Sequence, residues 1–259
     1  MEYNYPKFTP EMKKTHTILI PNMAITQFRL LEYALRYDGY KCEILGNCGS
    51  AVAHVVSNGV ELKNFEQDKE KGEEFRRKYD FKKEDKVIVG IGLYIERKGI
   101  IDFVELAKRM PEYKFIWFGY SPLAAATGPV KKAVHTKLDN LTFAGYVEPS
   151  MIKSAMNGAD LFLFPTLEET EGIPIIEACA CKCDAIIRDI PIFDGWLKDG
   201  KNVYKAKDVD EFERKIRLFF DGKLKSLASN AYKIAEERDL KNIGNKLKNI
   251  YEEVMHSSK

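Results

Sequence analysis

Short apolar runs alternate with segments of helical periodicity along most of the chain. Five short runs consist mainly of apolar residues, which is typical of strands in a sheet that is covered on both faces. They are Val87–Ile91, Lys114–Gly119, Asn140–Gly145, Leu161–Pro165 and Ala185–Arg188. Helices are predicted at Ile100–Met110, Ser150–Gly158, Ile173–Cys181, Asp210–Phe220 and Ser226–Met255. This alternation predicts an α/β fold with a doubly wound, parallel, Rossmann-like sheet and right-handed crossovers.

The first 54 residues follow the same alternation but stop after one unit. A short βαβ unit is predicted from a strand at Thr17–Pro21, a helix at Ile25–Tyr37 and a strand at Lys41–Gly46. The pattern then changes at Val55–Gly59 into a charged stretch, Glu66–Lys86, which is predicted as a surface helix. We therefore expect a short unit over residues 1–54 and a larger domain over residues 55–259.

Composition limits the possible functions without naming one. Basic and acidic residues nearly balance, 41 against 39, so the net charge of +2 indicates no nucleic-acid partner. No run of apolar residues reaches the length of a membrane span, and the first residues lack the features of a signal peptide. Five cysteines without a secretion signal indicate a reducing compartment, so we expect a cytoplasmic protein.

The segment Glu169–Glu177 carries the clearest chemistry. Pro174 suits a first helical turn, and the Gly172–Pro174 turn directs backbone N–H groups and the positive end of a helix dipole at one point. Such a point is a phosphate site. Glu169 before the turn and Glu177 about one turn into the helix can both accept hydrogen bonds from sugar hydroxyls. The pattern favours a nucleotide-sugar pocket, and an ordinary strand–loop–helix connection with a solvated acidic face is the alternative.

Several motifs occur in the order that one enzyme family has them. They are Ser57–Val60 with Phe65, Gly92–Gly99, Gly145–Val147 and the paired carboxylates Glu169 and Glu177. From about residue 55 to its end, the chain resembles the C-terminal, donor-binding half of a GT-B retaining glycosyltransferase of family four. In that family the first motif opens the half, the second binds a diphosphate and the third supports the base.

The resemblance implies roles for individual residues. Glu169 and Lys98 are expected in catalysis, at the transferred sugar and at the departing diphosphate, and Glu177 is expected at the ribose hydroxyls. The expected donor-binding residues are Gly92, Arg97, Lys98, Tyr146, Val147, Glu169, Gly172, Ile173, Pro174 and Glu177. The nucleotide sugar is a substrate in this reaction, and no metal or other cofactor is expected.

Two segments resemble a narrower group within this family. Glu168–Gly172 and Arg188–Leu197 are similar to the 1,2-diacylglycerol 3-glucosyltransferases. This resemblance implies UDP-glucose as donor, diacylglycerol as acceptor, retention of anomeric configuration and a peripheral place at the inner face of the membrane. The wider family usually has an arginine where Leu93 stands, and we expect Arg97 to supply that charge to the diphosphate.

The opening segment resembles a different family. Met12–Met23, Phe28–Glu32 and Gly39–Tyr40 are similar to part of the large activator-related proteins of 2-hydroxyacyl-CoA dehydratases. The two resemblances together indicate a chimera, and a degenerate acceptor domain is the alternative. The chain is then a hexosyltransferase, a nucleotide-sugar-binding module without turnover, or a fragment without a ligand. A second chain that supplies the acceptor domain is a further possibility.

Groups that resemble metal sites are interpreted as structural. Cys179, Cys181 and Cys183 lack the four converging ligands that zinc requires, so buried packing positions on a helix are expected. Asp208 and Asp210 match a DxD pattern, but the helical spacing that follows predicts Asp208 as an N-cap. No metal site is therefore predicted.

Large aromatic and basic residues are possible contacts for an acceptor lipid. Phe193 and Trp196 are expected in the core instead, because large aromatic side chains of an α/β domain are mostly buried. Lys131 and Lys132 are expected on a solvated helix face. The four histidines have no neighbouring carboxylate or nucleophile in the sequence and are expected at the surface.

Overall fold

The computed structural model describes residues 11–20, 32–37, 39–44, 59–65 and 67–257. The chain divides into two compact units, Met1–Val56 and Ser57–Lys259, with a boundary two residues after the predicted one. Parts of several predicted features lie outside the described residues, among them the start of the predicted Ile25–Tyr37 helix before residue 32, the Ser57–Asn58 start of the family motif, and His54. Within the described part of the chain, no helix combines the length and the apolar character that a membrane crossing requires.

The strands of the first unit form a parallel pair. Strand β1 (Thr17–Ile20) pairs with β2 (Lys41–Ile44), with Thr17 opposite Lys41. A short helix α1 (Met12–Thr15) precedes β1, and residues 32–37 form helix α2 between the strands. Consecutive parallel strands need such a crossover, so the predicted βαβ unit is confirmed.

The second unit contains a parallel sheet whose described strands have the order of a Rossmann fold. They are β3 (Val87–Ile91), β4 (Lys114–Phe118), β5 (Leu141–Gly145), β6 (Leu161–Phe164), β7 (Ala185–Arg188) and β8 (Tyr204–Ala206). Their order across the sheet is β5-β4-β3-β6-β7-β8, and every pair is parallel. The predicted doubly wound fold is confirmed. The order reverses between β3 and β6, and ligands of such sheets bind at this switch point, beyond the carboxyl ends of the strands.

Successive strand residues point into two different hydrophobic cores. Val87 and Val89 of β3 pack into one core, and Ile88 packs into the other. The first core is covered by α3 (Lys69–Lys78), α6 (Pro149–Gly158), α7 (Ile173–Ala180) and α9 (Ala228–Glu237). The second is covered by α4 (Ile100–Arg109), α5 (Gly128–Val134) and α8 (Val209–Phe220). Because both faces are covered, the central strands are apolar at every position.

The C-terminal segment differs from the prediction. The sequence predicts one helix, Ser226–Met255, whereas the structure has α9 and then α10 (Leu240–Ser257). The break lies between Arg238 and Leu240. The Arg238 carbonyl oxygen accepts a hydrogen bond from the Val60 N–H at 2.9 Å, and the Leu240 N–H donates to the Val60 carbonyl oxygen at 3.0 Å. These contacts replace helical hydrogen bonds, so a continuous helical pattern in the sequence is interrupted by a tertiary contact.

Two further elements differ from those predicted from the sequence. Strand β8 is not predicted because Lys205 lies at its centre, and that lysine is buried with its ammonium 3.3 Å from Asp189 and 3.1 Å from Asp194. In the charged stretch predicted as a surface helix, the described residues 67–86 contain the shorter helix α3 alone. Its N-cap residue, Asp68, accepts a hydrogen bond from the amide of Lys71 and so determines where the helix begins.

Candidate functional site

The loops after β3 and β6, on either side of the switch point, bring Lys98 and Glu169 together. The Lys98 ammonium donates a hydrogen bond to Oε1 of Glu169, and the two side chains are 14% and 6% exposed. The Thr166 hydroxyl lies 3.3 Å from the same carboxylate oxygen. The two predicted catalytic residues therefore form one ion pair in a mostly buried setting, where charges interact more strongly than in water.

Backbone contacts beside this pair hold the two loops against each other. The Leu167 N–H donates to the carbonyl oxygen of Arg97 at 2.7 Å. Gly99 has a φ of 74°, and a Cβ at this position would lie 2.1 Å from the carbonyl oxygen of Pro165. Only glycine combines this left-handed backbone with so close an approach. The glycine that follows Lys98 thus allows the two loops to meet.

Gly92 directly follows β3 and packs against the stem of Lys98. A Cβ on Gly92 would lie 3.0 Å from Lys98 Cβ and 3.0 Å from the Trp117 ring. Nε1 of Trp117 donates to the Gly92 carbonyl oxygen at 2.9 Å, and the Gly92 N–H donates to the Phe118 carbonyl oxygen at 2.9 Å. These contacts fix the backbone from which the loop to Lys98 departs.

Arg97 lies at the exposed edge of this group. Its Nη1 donates to the carbonyl oxygen of Glu168 at 3.2 Å, so the guanidinium lies against the loop that carries Glu169. Leu93, at the position of the usual family arginine, is also exposed. The expectation that Arg97 replaces that arginine stays a prediction.

The predicted phosphate site is the start of α7. Gly172 precedes the helix with a φ of 84°, no side chain caps it, and Pro174 lies in the first turn. The Ile175 N–H donates to the Gly172 carbonyl oxygen at 3.0 Å, and Pro174 has no N–H. Within the described part of the chain, the amides of Gly172 and Ile173 are therefore the donors available at this helix end. They are fewer than the sequence suggests, but they coincide with the positive end of the helix dipole.

A cavity of about 280 Å³ lies at the carboxyl ends of β3, β4 and β5. We name it the Glu177 cavity. It is lined by Phe65, Ile91, Gly119, Tyr146, Val147, Pro149, Ile152 and Glu177. Ligand pockets begin at about 300 Å³, so the cavity fits a group of nucleoside size better than a whole nucleotide sugar. Three predicted donor-binding residues, Tyr146, Val147 and Glu177, are thus brought together.

Glu177 is the ionisable group of this cavity. Burial raises the pKa of Glu177 to about 7, because its neighbours in the cavity are mostly apolar and the charged carboxylate loses hydration. Near neutral pH this carboxyl group therefore exchanges between a charged form that only accepts hydrogen bonds and a neutral form that can also donate one.

The pair, the helix start and the cavity are connected through two short segments. Ile91 lines the cavity, and the next residue, Gly92, packs against Lys98. Helix α7 begins at the phosphate site and carries Glu177. All three parts consequently lie at the carboxyl edge of the sheet, around the switch point.

Some residues of the candidate site are not identified from the sequence, among them Thr166 beside the ion pair and Ile91 and Ile152 in the cavity. Thr166 follows a central strand at its carboxyl end, which is the available signal for a ligand-loop position. Ile91 and Ile152 have no such signal, because an apolar residue that lines a cavity and one in the core have the same place in the pattern.

The cysteines lie where packing was expected, with one correction. Cys179, Cys181 and Cys183 are free thiols and buried, and burial raises the pKa of Cys179 and of Cys181 to about 12. Helix α7 ends at Ala180, however, so Cys183 is not on the helix as predicted. A turn with a positive φ at Lys182 separates it from the helix.

The other residues interpreted as structural also have local partners. Asp208 accepts a hydrogen bond from the Glu211 amide at 2.9 Å, which confirms it as the N-cap of α8. Phe193 is fully buried, and Trp196 is half-buried beneath the guanidinium of Arg238. His16 and His135 are exposed. Among the described residues, no three His, Cys, Asp or Glu side chains are grouped so that they could hold a metal ion.

Comparison with known protein families adds a direct finding. The family model of glycosyl transferases group 1 matches residues 71–238, which include the Lys98–Glu169 pair, the start of α7 and most of the Glu177 cavity. The chain belongs to this family. The match confirms the resemblance stated for the region from residue 55 onward. The resemblance of residues 1–54 to dehydratase activator-related proteins receives no support from the comparisons.

Relatives and solved structures agree with this assignment. The chain is 38% identical over 220 residues to a processive diacylglycerol alpha-glucosyltransferase of Acholeplasma laidlawii, in a match that covers 85% of this chain and 66% of that protein. The chain spans less than two thirds of the length of the first curated relatives it matches.

Solved structures show the same fold at lower identity. A glycosyltransferase from Rickettsia africae has a TM-score of 0.74 at 16% identity, and the match covers 98% of this chain and 84% of that one. The Anabaena protein Alr3699/HepE, in complex with UDP and glucose, has a TM-score of 0.67 at 16% identity, with coverage of 94% and 64%. These likenesses support the GT-B fold of this glycosyltransferase chain.

Proposed function

We propose that this chain binds a UDP-sugar and transfers its hexose to a lipid hydroxyl with retention of configuration. The donor is UDP-glucose and the acceptor is diacylglycerol. The observation that carries the proposal is the grouping of the Lys98–Glu169 pair, the start of α7 and the Glu177 cavity at the switch point. The name of the Acholeplasma relative supports the sugar and the acceptor, and the UDP in the Anabaena structure supports the nucleotide.

In this proposal the Glu177 cavity holds the nucleoside. The backbone of Tyr146 and Val147 supports the uracil, and Glu177 accepts hydrogen bonds from the ribose hydroxyls. The cavity volume of about 280 Å³ suits this part of the donor. The diphosphate then lies at the start of α7, where the Gly172 and Ile173 amides and the helix dipole favour an anion.

The chemical step breaks the bond between the anomeric carbon and the oxygen of the second phosphate. Lys98 and the start of α7 stabilise the negative charge that develops on the departing diphosphate. Glu169 binds hydroxyls of the transferred sugar and stabilises positive charge at its anomeric carbon. The lipid hydroxyl attacks from the side that UDP leaves, its proton passes to the UDP phosphate, and the products are an alpha-glycoside and UDP.

Lys98, with Arg97 at the exposed edge, supplies in this proposal the positive charge that a metal ion supplies in other phosphate-transfer sites. The transfer rate is therefore expected to be the same in EDTA as in added magnesium. A rate that EDTA abolishes and magnesium restores would contradict this part of the proposal.

The lipid acceptor implies a place at a membrane surface. A diacylglycerol hydroxyl is reached only at the bilayer interface, so we propose peripheral binding at the cytoplasmic face of the membrane. The name of the Acholeplasma relative supports the lipid acceptor from which this proposal follows. Sedimentation of the chain with diacylglycerol-containing vesicles, compared with vesicles that lack diacylglycerol, measures the association.

A nucleotide-sugar-binding module without turnover is the second candidate. The chain spans less than two thirds of the length of its curated relatives, so the acceptor groove could be supplied by a second chain. The two candidates share the donor site and differ in transfer.

The test uses the full chain, radiolabelled UDP-glucose and vesicles that contain diacylglycerol. Labelled glycolipid with an alpha linkage supports the enzyme. Donor binding without glycolipid or released glucose supports the module. Failure of UDP-glucose and UDP to bind excludes both, and calorimetry on the same sample measures this binding.

A further inference from the structure

Arg188, the last residue of β7, is a buried cation beside the candidate site. It is 5% exposed, and its Nη1 donates to the carbonyl oxygen of Lys207 at 2.7 Å. Its Nη2 donates to the carbonyl oxygen of Pro165 at 3.2 Å and to the carboxylate of Asp102. A guanidinium that is removed from water in this way requires several acceptors in a fixed arrangement.

The two contacts of Nη2 reach the loop that leads to Glu169 and the helix that follows Lys98. Pro165 begins the loop that runs from β6 to Glu169. Asp102 lies in the first turn of α4, which starts just after Lys98 and Gly99. Because Nη2 carries two hydrogens, this one nitrogen can bond at once to the loop after β6 and to the first turn of α4.

We propose that Arg188 is a positioning residue that sets the separation between Lys98 and Glu169. It touches neither side chain of the pair, and it acts by fixing the Pro165 carbonyl and the start of α4 relative to each other. This inference rests on the proposed function, in which the pair binds the donor diphosphate and sugar. It adds to that function a residue, Arg188, that lies beneath the site.

Arginine suits this position better than lysine. The guanidinium is planar, keeps its charge, and presents its N–H groups in fixed directions, whereas an ammonium is a single point charge on a flexible stem. The Phe212 ring, whose centroid lies 5.0 Å from the guanidinium carbon, covers the cation and further restricts its orientation. A lysine here could retain the attraction to Asp102 but not all three contacts.

A matched control exists at the opposite ends of the same sheet's strands. Arg76 forms an ion pair of 2.8 Å with Asp160 and donates to the carbonyl oxygen of Gly158 at 2.7 Å. Asp160 immediately precedes β6 and also accepts from the amide of Val87 at the start of β3. This arginine has the same kinds of partner as Arg188 but lies at the amino ends of the strands, away from the candidate site.

The experiment compares Arg188→Met, Arg188→Lys and Arg76→Met in the full chain. Three quantities are measured: the Kd for UDP-glucose by calorimetry, the hydrogen-exchange rate of the Leu167 amide, and Tm. The Leu167 amide reports the contact between the two loops without any donor, because it bonds to the Arg97 carbonyl.

We expect Arg188→Met to raise the Kd for UDP-glucose roughly tenfold, which corresponds to about 1.4 kcal/mol. It should also accelerate exchange at Leu167. Arg188→Lys should lie between this variant and the wild type in both quantities. Arg76→Met should lower Tm by a similar amount while Kd and the Leu167 exchange rate stay as in the wild type.

Wild-type Kd and wild-type exchange in Arg188→Met, with only Tm lowered, would overturn the proposal. If that variant does not fold, Arg188→Lys decides in the same way. If the wild-type chain does not bind UDP-glucose, the proposed function fails, and the exchange rate at Leu167 alone decides whether Arg188 positions the loops.

Discussion

Lys98 and Glu169 neutralise each other at the switch point of the sheet, where the ammonium donates a hydrogen bond to the carboxylate. Thr166 lies beside the same carboxylate oxygen. A donor diphosphate that binds Lys98 must therefore share the ammonium with Glu169. This relationship has different consequences for the two side chains of the pair.

Glu169→Gln should separate nucleotide binding from transfer. The substitution retains the shape of the side chain but removes the charge that neutralises Lys98, so the ammonium becomes a stronger partner for a diphosphate. We expect UDP affinity to stay the same or to rise by up to about tenfold, which corresponds to about 1.4 kcal/mol. Glucose transfer should be lost, because the amide cannot stabilise positive charge at the anomeric carbon.

Calorimetry with UDP and the vesicle transfer assay measure the two effects. Glu168→Gln is the matched control, since Glu168 is the exposed neighbour and its carbonyl oxygen, not its carboxylate, receives the Arg97 hydrogen bond. A Glu169→Gln variant that transfers glucose at the wild-type rate would show that this carboxylate has no catalytic role.

Lys98→Met should weaken both donor binding and the fold. A hydrogen bond to a charged group contributes about 1.5–3 kcal/mol, so UDP affinity should fall roughly 10- to 100-fold. The free energy of unfolding should fall by roughly 3 kcal/mol, because Glu169 is left without its counter-charge in a mostly buried place.

Urea unfolding and UDP titration check this prediction. Arg97→Met is the comparison variant, because Arg97 is exposed and should alter UDP affinity only a few-fold. If Arg97→Met had the larger effect on UDP binding, the main cation of the site would be Arg97.

Glu177 should make the chain less stable at alkaline pH. Burial raises the pKa of Glu177 from its ordinary value of 4.5 to about 7. Below pH 4.5 the carboxyl group is mostly neutral in both the folded and the unfolded chain, so its ionisation does not change the free energy of unfolding. As pH rises to 7 the unfolded chain ionises first, and the folded state loses stability until the loss is complete above pH 7.

The expected loss by pH 8 is roughly 3 kcal/mol of unfolding free energy. Glu177→Gln should therefore be more stable than the wild type at pH 8 and should lose this advantage near pH 4.5, as measured by urea unfolding at both pH values. An equal difference at the two pH values would show that ionisation of Glu177 is not responsible.

The same carboxyl group should link donor binding to pH. Ribose hydroxyls donate to the charged form, which binding therefore favours. The affinity for UDP-glucose should increase between pH 6 and pH 8 in the wild type and change less in Glu177→Gln. A parallel increase in both proteins would assign the pH dependence to another group.

Gly99→Ala should separate the two loops of the site. The new Cβ would lie 2.1 Å from the Pro165 carbonyl oxygen, and φ is 74°. A positive φ alone costs about 1 kcal/mol for a residue with a Cβ, and the overlap with backbone adds more, so we expect a total loss above roughly 3 kcal/mol.

Gly195→Ala is the control for this change. Gly195 has a φ of 84°, but no atom lies within 4 Å of the position of its Cβ. It should show only the backbone contribution, with unchanged UDP affinity. Equal destabilisation by the two substitutions would mean that the contact between Gly99 and Pro165 contributes nothing.

The sheet could be predicted from the sequence because its signals are local. Strands β3, β4, β6 and β7 are covered on both faces and have continuous apolar runs. Strand β8 lacks that signal, since Lys205 is buried through contacts with Asp189 and Asp194 on another segment. The break between α9 and α10 has a similar origin, because it depends on hydrogen bonds to Val60.

The same distinction applies to the candidate site. Gly172, Pro174 and Glu177 belong to one turn and one helix, so their spacing alone predicts an anion site with a nearby carboxylate. The pairing of Lys98 with Glu169 joins positions 71 residues apart, and no local pattern contains it. The contacts of Arg188 with Asp102 and Pro165 span 86 and 23 residues and likewise depend on tertiary packing, because β7 lies beside β6 and Asp102 lies on α4.

The most direct test of the central claim is a calorimetric titration of UDP-glucose into the full chain, beside the same titration into Lys98→Met. We predict saturable binding of one donor per chain that UDP competes away, and an affinity that falls roughly 10- to 100-fold in the variant. Absence of binding to the wild type, or equal binding to both proteins, would contradict the assignment of the donor site to the Lys98–Glu169 pair.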